Sequence, residues 1–129
     1  MHPINIIAAL AILQFLFFGI LVGRARAKYG VSAPATTGNE HFEREFRVQM
    51  NTLEQLVAFL PALYIANMYW PARYVAGAGI VYLVGRFVYR QTYTADPRKR
   101  SLGFLLTVAP IFALLAASLL GAARQFHLP

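Results

Sequence analysis

The chain has 129 residues, of which 58% are hydrophobic and 13% charged, where an ordinary soluble domain carries about 25% charged residues. So small a fold has too much surface to hide that apolar excess from water, which excludes a soluble globular domain and leaves lipid as the solvent. A net charge of +7 raises nucleic acid as a partner, but the basic residues sit in short segments between long apolar stretches, so no nucleic-acid partner is expected.

The first predicted element covers about residues 4–23, with Asn5 and Gln14 its only polar side chains. Some 20 apolar residues suffice to cross a hydrocarbon core of roughly 30 Å. No basic segment precedes it, and it exceeds the apolar core of a signal peptide, so it reads as a retained helix. The segment from Tyr29 to Glu40, with Pro34 and Gly38 among small residues, reads as an ordered, turn-rich loop. A second span is expected over 47–69 and a third over 72–93, split at Trp70-Pro71. Proline suits a helix start and breaks an interior, so Pro71 marks a hairpin, with Tyr69 and Trp70 suited to the membrane interface. The fourth span, 102–123, is as apolar as the first. The expectation is an all-α membrane protein, a single domain over 1–129 built as a four-transmembrane-helix bundle.

Charge orients the bundle. Ten of the 12 lysines and arginines fall in or beside the two segments that follow the first and third spans, counting Arg47, Arg86 and Arg90 near the adjoining span ends, leaving Arg73 and Arg124 on the other side. Positive loops stay inside, so both termini are expected outside and the basic end in the cytoplasm. All five acidic residues lie at that end too, which is where a charged, water-soluble ligand would bind.

The middle spans carry groups that are costly in lipid and functional candidates by default. Arg47, Asn51 and Glu54 fall at i, i+4 and i+7; Tyr82, Arg86, Tyr89 and Tyr93 fall at i, i+4, i+7 and i+11. Each set occupies one helical face. Two such stripes facing each other would form a polar, aromatic-lined cleft suited to a zwitterion. Glu54 and Arg86 could also be a structural ion pair, and Arg47, Tyr93 and Arg100 could be ordinary residues of the membrane surface. With no cysteine and three widely spaced histidines (His2, His41, His127), neither a protein thiol nucleophile nor a metal centre is expected.

The run FEREFRVQMNTLE, Phe42 to Glu54, resembles the signature of the MAPEG family, the membrane-associated proteins in eicosanoid and glutathione metabolism. VSAPATTG, Val31 to Gly38, and GRFVYRQTY, Gly85 to Tyr93, followed by Arg100, are similar to blocks of its leukotriene-forming glutathione transferase, with matching spacing. The resemblance implies a homotrimer with glutathione, as co-substrate, between neighbouring subunits near the cytoplasmic surface. It implies that Arg47, Asn51 and Glu54 hold glutathione's charged ends, that Arg26 and Gln49 add contacts, and that Tyr89 and Tyr93 line the pocket. It implies that Arg100 stabilises the thiolate; on chemical grounds Tyr93 or Tyr89 would assist as a hydrogen-bond donor. Gln55 and Ala27 depart from the pattern, at a pocket tyrosine and a second arginine, and put that enzyme's lipid specificity in doubt.

The function so implied is a membrane-bound glutathione transferase acting on a lipophilic electrophile, with peroxide reduction open to the same thiolate. A non-catalytic lipid-binding scaffold of the same family is the first alternative. A small channel or transporter subunit is the second. The compact sequence without targeting signals suggests a bacterial inner membrane, with an endoplasmic-reticulum membrane as the eukaryotic equivalent.

Overall fold

The computed structural model describes residues 2–126. His127 lies outside them. Among the described residues there are four long helices: α1 (His2–Tyr29), α2 (Glu40–Tyr69), α3 (Ala72–Ala95) and α4 (Ser101–Arg124), with a 3₁₀ turn at Pro97–Lys99 before α4. Each runs past its expected apolar span, because a helix leaving hydrocarbon keeps its backbone hydrogen bonds while its side chains turn polar. The largest extension is at α2, which starts seven residues early. Asn39 caps it, its side-chain oxygen accepting from the backbone N–H groups of His41 and Phe42 at 2.8 and 3.1 Å.

Packing follows the spacing of small and apolar residues. Along α1, Ile4, Ile7, Ala8, Ala11, Gln14, Phe18, Val22 and Ala25 are buried, a stripe at three- and four-residue steps. Gln14 reaches across to α3 and donates to the Leu83 carbonyl at 2.9 Å. The helix ends at Gly30, whose φ of 69° suits glycine, while the Val31 N–H returns to the Arg26 carbonyl at 3.1 Å.

At the α2–α3 hairpin, Trp70 donates its indole N–H to the Ala117 carbonyl of α4 at 2.6 Å, under the Arg124 guanidinium. α3 and α4 approach closely at two glycines. A Cβ on Gly85 would lie 2.7 Å from the Leu106 backbone, and one on Gly103 would lie 2.4 Å from the Tyr89 backbone. Pro110 contributes to the first contact, since a proline inside a helix frees the carbonyl four residues earlier, here Leu106.

The outer surface presents large apolar side chains, among them Leu13, Val57, Met68, Phe112 and Leu119. Such coverage suits lipid and not water. Two stretches, His2–Tyr29 and Pro97–Arg124, are long and apolar enough to cross a membrane. α2 and α3 fall short of that standard because they carry the charged groups.

Candidate functional site

At the basic end, α2, α3 and the start of α4 enclose a cleft of about 570 Å³. Arg47 and Asn51 of α2, Tyr89 and Tyr93 of α3, and Arg100 line it together. The two stripes read from periodicity therefore meet. Tyr89 and Tyr93 stack, with ring centroids 5.4 Å apart and planes 10° from parallel.

Arg100 is the residue immediately before α4. Asp96 accepts from the Arg98 N–H at 3.1 Å and shapes the short turn that brings the chain there. Asp96 lies outside the spans, and the bonds from Arg98 hold its carboxyl below the usual carboxylate range. Beyond Arg100, α4 supplies a wall of Ser101, Phe104, Leu105 and Val108. The cleft therefore has a cationic, phenolic side and an apolar side.

A neighbouring cavity of about 520 Å³ shares Arg47 and Tyr93 and adds Glu40, Glu43 and Arg44. It extends the site toward the polar end of the bundle. Its charges are already partly matched, since Arg44 pairs with Glu40 and also donates to the Thr94 carbonyl at 3.1 Å.

The expected Glu54–Arg86 ion pair does not form. Glu54 pairs instead with Arg47 at 3.2 Å, both about half exposed, and it is not part of the cleft wall. Arg86 is fully buried and donates to three neutral oxygens: Asn51 Oδ1 and Thr52 Oγ1, each at 2.9 Å, and Thr107 Oγ1 at 3.2 Å. Bringing a carboxylate down to it would require desolvating a second charge, whereas the hydroxyls and the amide are already in place. Both threonines donate their own hydrogens to their helices, to Val48 and Gly103, so their lone pairs face Arg86.

This node orients the site. A guanidinium only donates, so the Asn51 atom bonded to it must be the oxygen, which leaves the two amide hydrogens for the cleft that Asn51 lines. Arg86 also lies 4.4 Å from the centre of the Tyr89 ring, holding that wall from behind. Tyr82, the innermost member of the α3 stripe, does not reach the cleft and stacks on Phe59 at 3.8 Å.

Arg26 and Gln49 lie elsewhere. Arg26 donates to the Ala35 carbonyl at 2.7 Å and covers the Phe42 ring, fastening the α1–α2 loop. The Gln49 amide rests against Gly19 of α1. Two residues along a helix turn the side chain by about 200°, so Gln49 points away from the Arg47 face. Neither residue lines the cleft.

Sequence reasoning missed Thr52 and Thr107, whose hydroxyls in apolar spans gave no sign of a common partner. It also missed the α4 wall, although Arg100, Phe104 and Val108 at i, i+4 and i+8 carry a readable signal.

The family model described as MAPEG family matches residues 4–120. The chain is 49% identical to an uncharacterized protein of Synechocystis sp., over 95% of this chain and 89% of that one. It is 37% identical to human microsomal glutathione S-transferase 2, over 94% and 84%. It is 33% identical to leukotriene C4 synthase of Cavia porcellus, over 93% and 80%.

Proposed function

The chain belongs to the MAPEG family, and from that premise we propose that it is a membrane-bound glutathione transferase with its site at the basic end. The observation that carries this reading is the single cleft shared by Arg47, Asn51, Tyr89, Tyr93 and Arg100. Glutathione has two carboxylates, an ammonium and a thiol; the cleft offers complements to the carboxylates and the thiol, and Glu54, outside its wall but paired with Arg47, offers one to the ammonium. Arg47 and the Asn51 amide hydrogens suit carboxylate oxygens, and Glu54, bonded to Arg47, suits the ammonium.

A thiol is a poor nucleophile beside its thiolate, and an unperturbed thiol ionises near pH 8.5. A guanidinium next to sulfur favours the anion at neutral pH. Arg100 is assigned that role, with the Tyr93 hydroxyl as a second donor. The thiol proton passes to water, and the sulfur lone pair forms a carbon–sulfur bond to the electrophile. A leaving group departs with its electron pair, or a strained ring opens. The wall of Phe104, Leu105 and Val108 suits a lipophilic partner entering from the bilayer.

Arg26 and Gln49 fit this scheme only if a second copy supplies them, because in their own protomer they face a different flank. The homotrimer with glutathione between subunits that the family resemblance implies would supply such a copy. With all four helices across the membrane, the positive-inside bias supports a cytoplasmic cleft and both termini outside.

The decisive experiment combines isothermal titration of the purified protein with glutathione and turnover of an electrophilic aryl halide. Arg100→Leu is expected to keep glutathione affinity within a few fold and to abolish conjugation. Undiminished turnover would refute the assignment of Arg100. Retained lipid binding without affinity for glutathione would replace the enzyme by a lipid scaffold.

A further inference from the structure

One stripe of α1 is used neither by the cleft nor by the flank that carries Arg26. Leu10, Leu13, Phe17, Leu21, Arg24 and Lys28 follow one another at steps of three or four residues and so lie in line along the helix. Leu10, Leu13 and Phe17 are exposed by 45%, 59% and 46%. They form an apolar groove of about 290 Å³ with Leu83 and Phe87 of α3. Its floor is closed by the Gln14 bond to the Leu83 carbonyl.

One turn further on, Leu21 begins a second cavity of about 550 Å³, whose wall is cationic: Arg24 and Lys28, with the Tyr29 ring beside the Lys28 ammonium at 5.3 Å. Glu45 also borders it, but that carboxylate is held by Arg90 through two bonds of 2.6 and 3.3 Å. Arg24 and Lys28 pair with no carboxylate among the described residues. The upper cavity thus carries an uncompensated positive charge at the polar edge of an apolar groove.

We propose that this stripe is a binding site for one anionic phospholipid of the surrounding bilayer. Arg24 and Lys28 hold the headgroup phosphate, and one acyl chain runs along Leu21, Phe17, Leu13 and Leu10. At 1.5 Å per residue, Arg24 stands about 10 Å above Phe17 and about 21 Å above Leu10. That span covers the roughly 15 Å of hydrocarbon in one leaflet, half the thickness of the bilayer core. Charge complementarity selects the headgroup, and the groove selects a molecule with a tail. The inference goes beyond the transferase reading and needs only that α1 lies in the membrane.

The test is native mass spectrometry of the full chain in detergent. It is titrated with phosphatidylglycerol and with phosphatidylcholine of the same acyl chains. Two basic residues at a membrane surface predict a preference for the anionic lipid of roughly 30-fold. Arg24→Gln with Lys28→Gln should abolish most of that preference. Arg98→Gln with Lys99→Gln, the same charge change at the same end, should keep it. Both pairs are exposed, so folding is not at issue, and glutathione affinity should be unchanged in each.

Equal binding of the two lipids, or equal loss in both double variants, would overturn the site. So would exclusion of both lipids because a neighbouring copy covers the stripe. Glycerophosphoglycerol, the same headgroup without tails, should fail to compete at matched concentration. Equal competition would show that a phosphate alone is bound and would overturn the assignment of the groove.

Discussion

Replacing Gly103 by alanine separates catalysis from stability in a way the geometry quantifies. The added Cβ would lie 2.4 Å from the Tyr89 Cα and backbone nitrogen, whereas ordinary contacts begin near 3.4 Å. Backbone cannot swing aside as a side chain does, so α4 must move from α3 by about 1 Å. The displacement falls one turn from Arg100 and directly opposite Tyr89, across the mouth of the cleft. Overpacking of this kind costs about 1–3 kcal/mol, offset by roughly 1 kcal/mol from replacing glycine inside a helix. The net loss of stability is therefore small, about 0–2 kcal/mol. Misplacing a catalytic group by about 1 Å can lower kcat about 100-fold, a barrier increase of about 2.7 kcal/mol.

The assay is steady-state conjugation, with thermal unfolding followed in parallel. Gly77→Ala is the control, since a Cβ there meets nothing within 4 Å. It should stabilise slightly and leave kcat alone. A Gly103→Ala protein with wild-type kcat would refute the idea that the α3–α4 spacing positions Arg100 for chemistry. An equal loss in Gly77→Ala would refute its dependence on position.

Three further outcomes follow from the same geometry. Arg86→Met should weaken glutathione binding by about 10- to 100-fold, because Asn51 loses the charged hydrogen bond that orients it, worth about 1.5–3 kcal/mol. Arg86→Lys should not rescue the affinity, since an ammonium lacks the planar fork, and calorimetric titration reads both. The Arg47–Glu54 pair, half exposed on both sides, should couple by less than about 1 kcal/mol in a double-mutant cycle of thermal stability; a coupling above 2 would contradict its surface character. Tyr93→Phe should preserve the stack on Tyr89 and lower the conjugation rate about tenfold through loss of one donor to the thiolate, with the glutathione dissociation constant unchanged.

Much of this arrangement was legible in the sequence, and the exceptions have physical causes. α1 and α4 declare themselves by uninterrupted apolar runs. α2 and α3 declare a site because Arg47, Asn51, Tyr89 and Tyr93 repeat at helical spacing, and that spacing brought them to one cleft. Periodicity assigns a face and says nothing of depth, which is why Glu54 was a plausible partner for Arg86 and proved to be Arg47's. The level of contact between antiparallel helices is set by close approaches such as Gly85 against Leu106, and these depend on the whole packing. The α2 start was missed for a related reason. Apolar content marks Arg47 as the membrane edge, while the helix itself begins where Asn39 satisfies its first backbone donors. Arg26 and Gln49 were named by resemblance alone, and helical spacing could not show that one fastens the α1–α2 loop and the other rests against α1.

The Arg86 node also has an electrical consequence. Its three partners are neutral, and no carboxylate among the described residues lies within ion-pair distance. The bundle therefore keeps a standing positive potential behind the Tyr89 wall, shielded from salt because it is buried. An anion arriving in the cleft acts as the missing counter-ion, and its attraction to that interior charge should survive ionic strengths that erase the pull of the exposed arginines.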